Sequence, residues 1–198
     1  MKAFLKLSGG IDAFNAWLGR TVSWLVVAAA LISAANAVIR KLFGVSSNSW
    51  LELQWVLFSM IFLLCAPWTL LDNEHIRIDI VNNLLPKRVR DTIDVIGHAF
   101  FLLPLTIVML ITSLPFFLAS YRIHEQSGNA GGLPQWPAKS LVFIGFALLM
   151  VQGVSELIKR IAVMRGLIAD PHGGAARPQS AAEAEAERLL AVMKSETP

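Results

Sequence analysis

Charge is scarce in this 198-residue chain: Asp, Glu, Lys and Arg make up 16% of it, against 55% hydrophobic residues. An average soluble domain carries roughly 25% charged residues. The shortage is also uneven. No charged residue occurs from Thr21 to Ile39 (19 residues), Leu53 to Leu71 (19), Val95 to Tyr121 (27) or Ser140 to Ser155 (16). A bilayer core about 30 Å thick needs about 20 apolar helical residues at 1.5 Å each. Three windows reach that length. The fourth does so once Ala138 and Leu157-Ile158 extend it, with Lys139 and Glu156 snorkelling from its ends. Four such windows exclude a soluble enzyme and specify an all-α, polytopic membrane protein with four transmembrane helices.

Groups that carry chemistry are equally sparse. The single cysteine, Cys65, excludes an intramolecular disulfide and a multi-thiolate metal centre, and inside the second window it reads as a small packing residue. Of four histidines only His98 lies within a span, so haem ligation by paired histidines is excluded. An ion-coupled transporter usually carries ionisable groups inside its spans. Here the strongly polar span residues are Asn36, Gln54 and Gln152, which read as interhelical hydrogen-bonding groups. No phosphate loop, nucleophile with its base, zinc ligand set or internal repeat is present. The sequence therefore predicts no enzyme activity, no cofactor and no metal site.

The charges that do occur define a topology. Ten basic residues fall on one side: Lys2, Lys6, Arg20, Arg77, Lys87, Arg88, Arg90, Lys159, Arg160 and Arg165. Four fall on the other: Arg40, Lys41, Arg122 and Lys139. The positive-inside rule then places both termini in the cytoplasm, with the 40–50 and 120–139 loops outside. The same placement accounts for the net charge of +3 without any nucleic acid. Ala35-Asn36-Ala37 resembles a signal-peptide cleavage site, but the preceding apolar run is long for that purpose and Arg40-Lys41 follows it, so the run reads as a retained span.

Residues 1–165 are expected to form one membrane domain, with spans at about 20–39, 51–71, 93–120 and 138–160. Short interfacial amphipathic helices are expected at about 3–18, where Phe4, Leu7, Ile11, Phe14 and Leu18 recur at helical spacing, and at about 75–86, between spans 2 and 3. Residues 166–198 read as a flexible cytoplasmic tail in which Ala181 to Lys194 can form a short helix. Trp50 and Trp136 fall at the outer boundary and read as membrane-interface anchors. A lone membrane domain of this kind is either a subunit that needs a partner or a self-sufficient small four-helix transporter acting as a dimer.

Three short patterns favour the first. Asn36-Ala37-Val38-Ile39-Arg40-Lys41-Leu42-Phe43-Gly44 closes the first span. Trp50-Leu51-Glu52-Leu53 opens the second, and Glu74-His75-Ile76-Arg77-Ile78-Asp79 follows it. In this order they resemble the small membrane subunit (DctQ family) of tripartite ATP-independent periplasmic (TRAP) transporters. The resemblance implies a scaffold in a bacterial inner membrane, supporting a large membrane subunit. That larger subunit would hold the sodium and substrate sites and drive uptake of an organic acid delivered transiently by a periplasmic binding protein. It marks Asn36, Arg40, Glu52, His75, Arg77 and Asp79 as structural or partner-contact residues. Arg40 and Glu52 border one outer hairpin and are candidates to pair across it. His75, Arg77 and Asp79 are expected to anchor the chain at the cytoplasmic surface.

Overall fold

The computed structural model describes residues 2–44, 47–72 and 87–168, which belong to one compact unit. The expected helix at 75–86, with His75, Arg77 and Asp79, lies outside the described residues, as does the tail from 169 onward. Helix α1 spans Lys2–Ser23, α2 Leu25–Phe43 and α3 Asn48–Leu71. Then follow α4 (Lys87–Ile96), a π-helical segment (Gly97–Leu102), α5 (Leu103–Arg122) and α6 (Trp136–Met164). No strand occurs among the described residues beyond an isolated Gln126–Pro134 bridge. Four segments are long and apolar enough to cross a membrane: Phe4–Phe43, Asn48–Leu71, Asp91–Arg122 and Trp136–Met164.

Local chemistry sets where these helices bend and stop. α1 and α2 meet at Trp24, which keeps helical backbone angles while its carbonyl accepts from the Val27 amide at 3.1 Å in one tight turn. α1 runs without a break through Gly9-Gly10, where the sequence pattern is weakest. α2 ends because Gly44 adopts φ 65°, and its amide bonds the Arg40 carbonyl at 3.1 Å. A left-handed residue at a helix end is cheap only without a Cβ, which gives the final Gly of the first pattern a physical reason. In the third span Pro104 has no amide to donate and its ring crowds the carbonyl four residues earlier. Immediately upstream the helix widens into the π segment, closed by the Leu103 amide on the His98 carbonyl.

Burial runs opposite to that of a water-soluble domain. Phe62, Phe100, Phe101, Leu31 and Trp24 are among many large apolar side chains left outside, while the largest fully buried side chains are Gln152, Asn15, Thr106, Pro67, Ser8, Ser120 and Ser155. Lipid tails are as apolar as leucine, so burying leucine between helices gains little. Close backbone approach and interhelical hydrogen bonds drive association instead. α6 is the central element, packing against α1, α3, α4 and α5. Two of its glycines admit neighbours: a Cβ on Gly145 would lie 2.7 Å from the Leu63 Cβ, and one on Gly153 would lie 2.9 Å from a Leu102 methyl. Thr106, Ser113 and Ser120, seven residues apart, form the buried stripe of α5.

These contacts predict opposite outcomes for two alanines. Gly145→Ala forces α3 and α6 apart and should lower stability in detergent unfolding by about 1–3 kcal/mol. Gly10→Ala meets nothing within 4 Å and should raise it by about 0.5–1 kcal/mol through helix propensity.

Candidate functional site

Polar groups gather at the two ends of the bundle. At the end near the N-terminus, α1 lies antiparallel to the last turns of α6. Ser8, Asp12 and Asn15 share one face of α1 at helical spacing, and Gln152, Ser155, Glu156 and Lys159 share one face of α6. The two faces interlock. The Ser8 and Ser155 hydroxyls are 2.6 Å apart, and Asn15 Nδ2 donates to Gln152 Oε1 at 2.7 Å. Gln152 Nε2 donates to Asp12 Oδ1 at 2.9 Å and to Glu156 Oε1 at 3.0 Å. Ser155 Oγ reaches Asp12 Oδ1 at 3.1 Å. Lys159 closes the cluster, its ammonium 2.9 Å from Asp12 Oδ2 and 2.5 Å from Glu156 Oε1. The next residue, Arg160, turns instead to α4, 3.9 Å from Asp91 and 3.4 Å from Asp94. Adjacent cations on α6 thus hold two different helices. Beside them His98 Nδ1 sits 2.6 Å from the Asp94 carbonyl.

At the opposite end, the 123–135 connection folds onto the start of α3 around Glu52, which is 5% exposed. One Glu52 oxygen accepts from the Ser127 hydroxyl and from Asn129 Nδ2 at 2.8 Å, and the other accepts from the Leu133 amide at 2.6 Å. Asn48 Nδ2 donates to the Ala130 carbonyl at 3.0 Å, and Ser49 donates to that of Gly131. A Cβ on Gly132 would fall 2.4 Å from the Ser127 Cβ and 2.8 Å from Glu52 Oε1, so only glycine lets the loop close over the carboxylate. Lys139 pairs with Glu125 and lies 4.3 Å above the Phe116 ring. Its ammonium holds the Glu125 carboxyl below its ordinary range.

The residues marked in the sequence meet these clusters unequally. Glu52 is the hub of the outer cluster. Arg40 is exposed in the last turn of α2 and makes no ion pair with it, because the loop takes both Glu52 oxygens. Asn36 lies half-buried on α2. Trp50 and Trp136 stand in the first turns of α3 and α6 at the loop end, Trp136 edge-on to Tyr121 with ring centres 5.4 Å apart. The sequence pattern marks Glu156, Lys159 and Arg160 only as span-end charges and gives Asp12 no role. One signal was available: Asp12 is the only acid before Glu52.

Lys159→Met leaves Asp12 and Glu156 without their cation and should cost about 3 kcal/mol in detergent unfolding. The double variant with Asp12→Asn should lose less than the sum of the two single changes, and strict additivity would mean that the pair is not coupled. The outer loop carries a pH signature. Because the folded-state pKa of Glu125 is depressed, its contribution is present above the ordinary carboxylate value of about 4.3 and fades as pH falls through the lower folded value. The stability difference between wild type and Glu125→Gln should therefore be largest near neutrality and vanish in acid.

Among the described residues no cluster of His, Cys, Asp or Glu could hold a metal ion. Comparison with curated proteins and with solved structures finds no match. The family model described as "Tripartite ATP-independent periplasmic transporters, DctQ component" matches residues 29–163. That stretch runs from the buried Ala29 of α2 to the penultimate residue of α6 and takes in Glu52 and its loop, so this multi-pass membrane chain belongs to the DctQ family of TRAP transporter components.

Proposed function

We propose that this chain is a non-catalytic scaffold subunit. It holds a large transport subunit in a bacterial inner membrane during sodium-driven uptake of an organic acid, which a periplasmic binding protein delivers transiently. The observation that carries this reading is how the buried charges of the bundle are used. Asp91, Glu156 and Arg160 are each engaged across or along helices, and Glu52 is capped by a loop. Groups already satisfied by rigid neighbours are poor carriers for a moving ion, which must bind, release and rebind. They are well suited to keeping four spans at fixed spacing while a partner moves. The basic residues support an orientation with both termini in the cytoplasm, which turns the Glu52-capped loop toward the periplasm, where a binding protein docks. In that orientation Arg40, exposed and unpaired with Glu52, is a candidate contact at the same surface.

The test is reconstitution. Liposomes holding this chain alone should accumulate no organic acid under an inward sodium gradient. Liposomes holding it with the large subunit should do so only when the binding protein is added. Uptake by this chain alone would overturn the scaffold reading in favour of a self-sufficient dimer.

A further inference from the structure

The outer face of α1, as far as Trp24, carries an open groove of about 580 Å³, lined by Ala13, Ala16, Trp17, Arg20, Thr21 and Trp24. It lies on the face of α1 opposite the clamp to α6. The small side chains of Ala13 and Ala16 leave the groove open, and the two indoles stand two turns apart, about 10 Å along the axis, with Arg20 between them. Trp17 and Trp24 are 62% and 74% exposed. Arg20 is exposed, and among the described residues it makes no ion pair. It cannot draw on its own helix, because the one acid of α1, Asp12, is turned inward and held by Lys159. The outer face of α1 therefore carries Lys6 and Arg20 and no negative charge, alongside the exposed Leu7 and Phe14.

A cation with no ion-pair partner among the described residues, flanked by exposed indoles on a helix of a membrane protein, matches a phosphodiester at the boundary between headgroups and acyl chains. Arginine binds phosphate through a planar fork of donors. Each indole offers an apolar ring to acyl chain and an N–H to headgroup or ester oxygens. Cationic and apolar residues side by side along one helix are the pattern by which a helix lies in an anionic interface. We propose that this groove is a binding site for one anionic phospholipid, its phosphate on Arg20 between the two tryptophans and its chains along the apolar walls of the groove. Occupied, the site completes the outer face of α1 with lipid while the inner face is completed by α6.

The full-length protein, purified in detergent, is exposed to equal concentrations of phosphatidylglycerol and phosphatidylcholine, and retained lipid is counted by native mass spectrometry. Wild type should retain phosphatidylglycerol at least about fivefold over phosphatidylcholine, the preference expected of one basic group at an anionic headgroup. Arg20→Gln should lose most of that preference, whereas Arg122→Gln, which removes an exposed cation at the other end of the bundle, should keep it. Millimolar inorganic phosphate should not displace the lipid. Equal retention of both lipids, an unchanged Arg20→Gln, or displacement by free phosphate would each overturn the proposal. So would a photo-crosslinker at position 17 that captures protein rather than lipid in native membranes.

Discussion

The absence of water inside a bilayer is the constraint on which this fold depends. A carboxylate placed between helices must find its donors within the protein, and Asp12 does so by drawing the first helix against the last. Its two oxygens meet Gln152, Ser155 and Lys159, which lie at successive turns of α6. Lys159 in turn needs that second acid because Glu156 alone would tether it only within its own helix. The chain is thus closed between residues more than 130 positions apart. α4 is then held from the neighbouring cation, Arg160, so one turn of α6 organises both sides of the bundle end.

The opposite end solves the same problem with different chemistry. Among the described residues Glu52 has no cation. It is satisfied by a hydroxyl, a side-chain amide and a backbone N–H from a single loop, an arrangement that works only because the loop backbone can pass close to the carboxylate at Gly132. An ion pair joins two side chains and so fixes one helix against another. A carboxylate bound by a backbone amide fixes the path of the main chain itself. The α1 end is therefore clamped helix to helix, while the outer end presents a loop of defined shape. Between the ends, association rests on close approach at Gly145 and Gly153 and on the small hydroxyl stripe of α5 rather than on large apolar side chains, which face outward.

The spans were legible in the sequence because a bilayer imposes a one-dimensional rule: about 20 residues without charge. Family membership was legible for a related reason, since the three patterns lie at span ends, where local chemistry such as the left-handed Gly44 cap leaves a mark. What could not be read was pairing. Arg40 and Glu52 are neighbours along the hairpin, yet Glu52 is bound by residues 75 to 81 positions away. Nothing in the local pattern shows that a Ser-Gly-Asn segment will fold back onto α3. α1 posed the same difficulty. Its apolar spacing shows that one face is greasy, but in a membrane protein that face can turn to lipid, and the polar face chose the interior because α6 offers it a matching row. The π segment was equally hidden: Pro104 signals a disturbed helix but does not show that the wide turn falls at Gly97–Leu102.

These arrangements bear on how a subunit with so few charges contributes to transport. Scarcity of charge by itself would suit a passive lipid-filling element. Here Asp12, Glu52, Asp91, Asp94, Lys159 and Arg160 are placed where they tie together segments remote in sequence. Rigidity obtained in this way does not require a large apolar core, which a thin four-span protein cannot build, and it leaves the outward apolar faces free for lipid and for a partner. A moving transport subunit needs a neighbour whose own helices do not rearrange with each cycle. Ion pairs at one end and a backbone-bound carboxylate at the other resist such rearrangement better than apolar packing, which in lipid loses little when helices slide.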